Sequence, residues 1–299
     1  MAEVRFPDRP ASAGAPAVAF PARHRLERAL TAAFLGRADV AGRLLAERGV
    51  PGRPALFLPG RTLVVVAYQE FSDSPVGPYR QVAVSLPVHV AGRAPVLLPL
   101  LCQSLWNTER VFRDLFFYVV EIPVSRPEAV PYSGLWGEPA WTADIEAGPA
   151  GAADRSRAAG SARGWEVAVR GEGRDFIVLR AGGWGLGLTE RRGYRLVSRL
   201  GGEVLADVMR VEAPARLALG PGTASLELGD CPRAVGLADV LGRRPVAVQT
   251  LVHGSGTVSF GGPRPLAVPC RAPGMPAATG RRSQGPRESG EGGGVTPLG

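Results

Sequence analysis

The chain contains no lysine. All 35 of its basic residues are arginine, and a guanidinium keeps its proton across the working range of a protein. No side chain can therefore condense with a ketone to form an imine, which excludes the covalent amine route to carbonyl chemistry. Cysteine is nearly missing too. Cys102, Cys231 and Cys270 form an odd, widely spaced set with neither a disulfide framework nor a zinc-binding spacing, which fits a reducing compartment. His24, His89 and His253 are far apart and have no ligand-type neighbours at short spacing. They read as surface or strand residues, and no metal or other cofactor is expected. Long apolar runs are absent as well: Ala94 to Leu105 is broken by Pro95, Pro99 and Gln103 and is too short to cross a bilayer. Met1 to Phe20 lacks the charged and apolar regions of a secretory signal, so a cytoplasmic location and no membrane partner are expected. The formal charge is +8, yet the arginine pairs are scattered and no basic stripe with aromatic platforms forms, which argues against nucleic acid as a partner. Ser255 lacks a nucleophile elbow, and Gly182 to Gly187 lacks the spacing of a phosphate cradle.

What is present is turn chemistry and short apolar stretches. Gly 40 and Pro 28, with 45% apolar residues, predict many turns around a sizeable core. Residues 1 to 20 read as a flexible arm. From Arg23 to Ala46 apolar residues recur at helical spacing, which predicts two short helices divided at Gly36 within a segment spanning residues 21 to 54. The texture then becomes β, in a domain expected over residues 55 to 270. Leu63 to Tyr68, Tyr79 to Val90 and Phe116 to Ile122 read as strands, with a helical turn around Asn107 to Leu115 capped by Asn107 or Thr108. Trp165–Arg170 and Asp175–Arg180 flank Gly171–Gly173 as one hairpin. Tyr194–Leu200 and Glu203–Val211 flank Gly201–Gly202 as another, and Thr223–Leu228 and Pro245–Phe260 add strands. Residues 148 to 164 are of low complexity and read as a mobile loop. The Gly-, Pro- and Arg-rich segment from 271 to 299 reads as a disordered tail. Many short strands with few helices imply a mainly β, α+β protein.

Three stretches together resemble the acetoacetate decarboxylase superfamily. They are YQEFSDSPVGPYRQVAVSLPVHV (Tyr68 to Val90), FFYVVEIPVSRPEAVPYSGLWGEPAWTADIE (Phe116 to Glu146) and GTASLELGDCPRAVGLADVLG (Gly222 to Gly242). The first carries most of a D-S-x-x-G-P-Y-x-E turn, the second the W-G-x-P core of a longer W-G-F/Y-P-K element, and the third resembles a late L-x-L-x-D-H-P segment. The resemblance spans roughly residues 55 to 265. It implies an antiparallel β-barrel or cone around a central, largely apolar cavity, in a homo-oligomer that takes a small-molecule ligand.

The resemblance also implies a Schiff-base lysine just after W-G-x-P, and here that position is Ala140, followed by Trp141. The assisting glutamate after the turn is Gln81, the Arg-Glu pair before the tryptophan is Ser133 and Gly134, and the late histidine is Cys231. The expected reading is a protein that binds a carbonyl or keto-acid type molecule near Tyr79, Gln81, Trp136, Ala140 and Trp141 without Schiff-base decarboxylation. Two alternatives stand beside it. Glu138, in a position that is usually apolar, could act as a general acid or base if it enters the cavity, giving a lyase or isomerase of another mechanism, or it could be a rim carboxylate. The cavity could instead be filled, with Trp141 closing the barrel and the protein serving a structural role.

Overall fold

A computed structural model of the chain describes residues 18–90, 114–149, 164–182, 185–242 and 244–266. Its elements in chain order are β1 Ala22–Arg37, α1 Ala38–Glu47, β2 Arg53–Pro54, β3 Leu56–Leu58, β4 Arg61–Asp73, β5 Tyr79–His89, β6 Leu115–Val124, α2 Ala129–Gly134, β7 Ala140–Thr142, β8 Asp144–Pro149, β9 Gly164–Gly171, β10 Arg174–Gly182, β11 Leu186–Leu200, β12 Glu203–Leu219, β13 Ala224–Leu228, α3 Pro232–Leu241, β14 Ala247–His253, β15 Gly256–Phe260 and β16 Arg264–Pro265. The expected 271–299 tail, most of the 1–20 arm, the interior of the 148–164 loop and the turn around Asn107 lie outside the described residues. Leu115 opens a strand rather than ending a helix.

The large sheet closes on itself. β1 pairs with β4 on one side and with β14 and β15 on the other. β12 receives β14 and β15 and continues through β11, β6 and β5 back to β4. Closure gives each of these strands a neighbour on both sides, although β11 and β6 share only two residue pairs. The ring is antiparallel except at one seam, where Leu196 and Val197 of β11 run parallel to Phe117 and Tyr118 of β6. β7 also lies parallel to β6. The sheet is thus mainly antiparallel, as expected, with two short parallel pairings.

Side-chain alternation along each strand separates an inner face from an outer one. On β5 the apolar set Val82, Val84, Leu86 and Val88 points outward into the main core. Tyr79, Gln81, Ala83, Ser85 and Pro87 face the interior. The outer set is buried because a four-stranded antiparallel sheet, β13-β10-β9-β8, packs against it with Ile145, Val167, Val169, Ile177 and Leu179. Helix α3 adds Ala234, Leu237 and Val240 to the same layer. Each fully buried Val or Leu contributes roughly 1.5–3 kcal/mol, so this second layer, rather than the barrel interior, holds most of the apolar stabilisation.

The expectation of two helices over Arg23–Ala46 needs correction. Only Ala38–Glu47 is helical, and Ala22–Arg37 is a strand of 16 residues. Its first half alternates in the β manner: Ala22, His24 and Leu26 are buried while Arg23, Arg25 and Glu27 are exposed. Register shifts between Arg25 and Arg28 change the phase, which brings Leu26, Leu30 and Ala33 into a spacing that mimics a helix. Pairing on both flanks outweighs the intrinsic helix preference of its alanines and leucines. Both expected hairpins form, β9 with β10 and β11 with β12. The second is longer than its sequence signal, with Leu186 paired to Leu217.

Candidate functional site in the barrel

The closed ring encloses a cavity with about 160 Å3 of space for the centres of water-sized spheres, many times the ~10–15 Å3 that one water requires. Its wall is mostly apolar or small, with Ala29, Ala33, Ala67 and Ala83 leaving the room. The polar groups gather in two places.

The first lies where α2 and the turn after it cover the barrel. Tyr132 and Trp136 are buried, and Trp136 packs edge-on against Phe20 and Tyr132, with ring centroids 5.6 and 5.0 Å away. Its indole Nε1 donates to Asp207 Oδ2 at 2.8 Å, and its carbonyl accepts from the Ser198 hydroxyl. The chain then turns at Gly137, whose φ is +69° and where a Cβ would stand 2.7 Å from the Arg199 carbonyl oxygen. Only glycine meets both demands. This turn delivers Glu138 into the cavity wall. Glu138 is half-buried, and desolvation, with the Asp207 carboxylate adding to it, raises its pKa to about 8. At neutral pH Glu138 is thus mostly a neutral carboxylic acid, able to donate as well as accept.

Tyr79 and Gln81 stand close by. The Tyr79 hydroxyl donates to Gln81 Oε1 at 3.2 Å, and Gln81 Nε2 donates to Gln69 Oε1 at 2.5 Å. Burial pushes the Tyr79 phenol well above its ordinary value, with Tyr132 and Glu138 adding to the shift. Tyr132 in turn shares a hydrogen bond of 3.2 Å with His24 Nε2, and burial holds that imidazole down to about 4.

Four of the residues expected to form the site, Tyr79, Gln81, Trp136 and Glu138, therefore converge on one cavity. Ala140 and Trp141 do not line it. Ala140 follows the turn on β7, beside Ile122, and its methyl packs in the cluster of Tyr79, Val119 and Ile122 without reaching the open space. Alternation sends Trp141 to the opposite face. There its Nε1 donates to Glu121 at 3.0 Å, the Arg233 guanidinium lies 5.0 Å from its ring centre, and Phe176 of β10 meets it edge-on. Trp141 fastens the outer sheet to the barrel and leaves the cavity unfilled. In the turn between β4 and β5 the Ser74 hydroxyl donates to the Gly77 carbonyl and accepts from Val76 N.

The second polar group was not visible in the sequence. Glu190, Arg192 and Tyr194 project from β11 at every second position and meet His253 of β14 on the cavity wall. Glu190 is fully buried. It accepts short hydrogen bonds from the Tyr194 hydroxyl and pairs with His253 Nε2, and Arg192 Nε lies 3.9 Å away. Burial alone would raise its pKa, but His253, Tyr194 and Arg192 outweigh that and hold it below the ordinary carboxylate value. All three histidines, expected as surface or strand residues, are strand residues and buried. Among the described residues no cluster of three His, Cys, Asp or Glu side chains could hold a metal ion, and no helix is long and apolar enough to cross a membrane.

No protein-family model and no curated protein matches the chain. Solved structures do. The enduracididine biosynthesis enzyme MppR with HEPES bound superposes with a TM-score of 0.55 at 15% identity, over 85% of this chain and 90% of that one. MppR complexed with pyruvate gives 0.54 at 14%, over 84% and 92%. An acetoacetate decarboxylase gives 0.54 at 12%, over 85% and 91%. Likeness at such identities is a likeness of fold. Together with the closed barrel and its covered cavity, it establishes that this chain has the acetoacetate decarboxylase-like fold.

Proposed function

We propose that the protein binds a small carbonyl compound of keto-acid type in the barrel cavity without forming a covalent bond to it. The observation that carries this reading is Glu138, a carboxyl group on the cavity wall whose pKa desolvation raises to about 8. A neutral carboxylic acid donates to a carbonyl oxygen without bringing a charge into the cavity. With no lysine in the chain, recognition of a ketone here rests on a non-covalent donor of this kind. Two structures of the same fold, MppR complexed with pyruvate and with a condensation product of pyruvate, support a ligand of this size in this architecture. Calorimetric titration of pyruvate and acetoacetate tests the reading. Saturable one-site binding is expected, weakened about tenfold in Glu138→Ala, the size of one buried hydrogen bond of ~1.4 kcal/mol. A folded protein that gives no heat with either ligand would count against it, as would equal affinity in the variant.

A second reading, carboxyl acid–base catalysis, is favoured by the same side chain. A pKa near 8 lies close to working pH, where proton transfer in either direction is efficient.

A further inference from the structure

The wall formed by β1, β4 and β5 reverses the usual order of burial. Its outward residues Ala32, Val66, Val82 and Val84 are at most 1% exposed, sealed in the main core. Its inward residues Thr31, Val65, Ala67 and Ala83 are only half-buried although the ring closes around them, and all four line the cavity. Register makes them neighbours: Ala67 pairs with Thr31 on one side and with Ala83 on the other, and Val65 is the next inward position on β4. Small side chains therefore leave a strip of open space along this wall. The strip is long. On β5 the cavity is lined at every inward position from Tyr79 to Pro87, which is about 27 Å of strand at ~3.4 Å per residue and about 20 Å along the axis of a barrel whose strands tilt by ~35–45°. Spread over that length, the 160 Å3 available to sphere centres is a mean cross-section of about 8 Å2, or a radius of about 1.6 Å, to which the sphere adds its own ~1.4 Å. A channel of about 3 Å radius exceeds the ~2 Å contact radius of an alkyl carbon, so it takes one unbranched chain but not two side by side. Polar groups mark one end of the row. Tyr79 and Gln81 begin it, with Glu138 acting on the Tyr79 phenol, and Ala83, Ser85 and Pro87 follow. The cluster of Glu190, Arg192 and His253 lies on β11 and β14, off this wall.

We propose that the cavity is a channel for a 2-oxo acid with an unbranched apolar tail, its ketone at Glu138 and its tail running past Ala83 and Ala67 towards Pro87. Pyruvate fills only the head of such a channel and leaves the strip beyond Gln81 unused. Each methylene added to the tail moves from water onto the strip, and a buried methylene raises affinity about fourfold. Alanine at 67 and 83 sets the width, because a leucine at either position fills the channel there. No bond forms or breaks on binding. This inference deepens the binding reading above and rests on it, and the test separates the two.

The experiment is calorimetric titration of the full chain with pyruvate, 2-oxohexanoate and 2-oxooctanoate. Affinity should rise along the series, by about 100-fold or more from the first to the last. Ala67→Leu and Ala83→Leu, made separately, should bring 2-oxooctanoate back to within about tenfold of pyruvate, while pyruvate itself stays within about twofold of its affinity for the parent. Melting curves identify a variant that fails to fold. The other variant then carries the test, and the series on the parent protein needs neither. Pyruvate binding with no gain from the longer acids overturns the channel and leaves the binding reading standing. A gain that persists undiminished in the folded variants places the tail off the strip and overturns the channel too. No heat with any of the three acids overturns both.

Discussion

Two titratable residues, half-buried Glu138 and buried His24, shape how stability depends on pH. Glu138 keeps its proton in the folded protein up to about 8 and gives it up near 4.5 when unfolded. The unfolded state therefore binds fewer protons between these values, and stability falls as pH rises through that window, by on the order of 3 kcal/mol at pH 7. His24 is neutral in the folded protein down to about 4, whereas its ordinary value is 6.5. The unfolded state takes up that proton first, so stability falls as pH drops from 6.5 towards 4. The two slopes oppose one another between about 4.5 and 6.5, where these groups leave a plateau. Denaturant melts of Glu138→Gln across pH 4 to 8 should show the decline above 6.5 removed and a more stable protein at pH 7. A variant whose profile matches the parent's would show that Glu138 is not held protonated.

At the scale of the element, the turn between α2 and β7 places the acid, and Gly137 makes the turn. A side chain there incurs the left-handed backbone cost of about 1–2 kcal/mol and presses on the Arg199 carbonyl. Gly137→Ala should lower stability by about 1–3 kcal/mol and weaken ligand binding more than Glu138→Ala does, because Trp136 and its Asp207 bond move with the turn. Equal binding in Gly137→Ala and the parent would separate the turn from the site. The same elements show what the sequence revealed. The Gly77–Pro78–Tyr79 and Trp136–Gly137 stretches carry the family resemblance, and it is the resemblance that implies one site for Tyr79, Gln81, Trp136 and Glu138. Trp141 was misplaced because the strand face of a residue beside the turn depends on where β7 docks on β6, which is a tertiary fact. Glu190, Arg192 and His253 were missed for a related reason. Charged residues alternating along a strand look the same whether they face water or a lined cavity. The signal available was the row Glu190, Arg192, Tyr194 at every second position on a strand flanked by apolar residues. The 22–37 strand was hidden by a bulge that shifts the phase of its alternation.

On the scale of the whole molecule, two layers divide the labour. The outer sheet and α3 cover the outward apolar faces of the barrel strands, and the Glu121 cluster with Arg48, Arg233 and Trp141 links the layers. Because that layer supplies much of the core, the barrel interior need not be packed solid. It can hold a cavity and the buried polar side chains that a packed interior would exclude. The fold thus tolerates an alanine at the position where the resemblance implies the reactive amine, and the cavity persists without it. Its polar content is then set by Glu138 at one place and by the Glu190–His253 pair at another. The most direct test of this account is a crystal structure of the protein grown with saturating pyruvate. Pyruvate should lie inside the barrel with its carbonyl oxygen within about 3 Å of the Glu138 carboxyl and no continuous density to any side chain. An empty barrel at saturation, or pyruvate ordered only on the exterior, would contradict it.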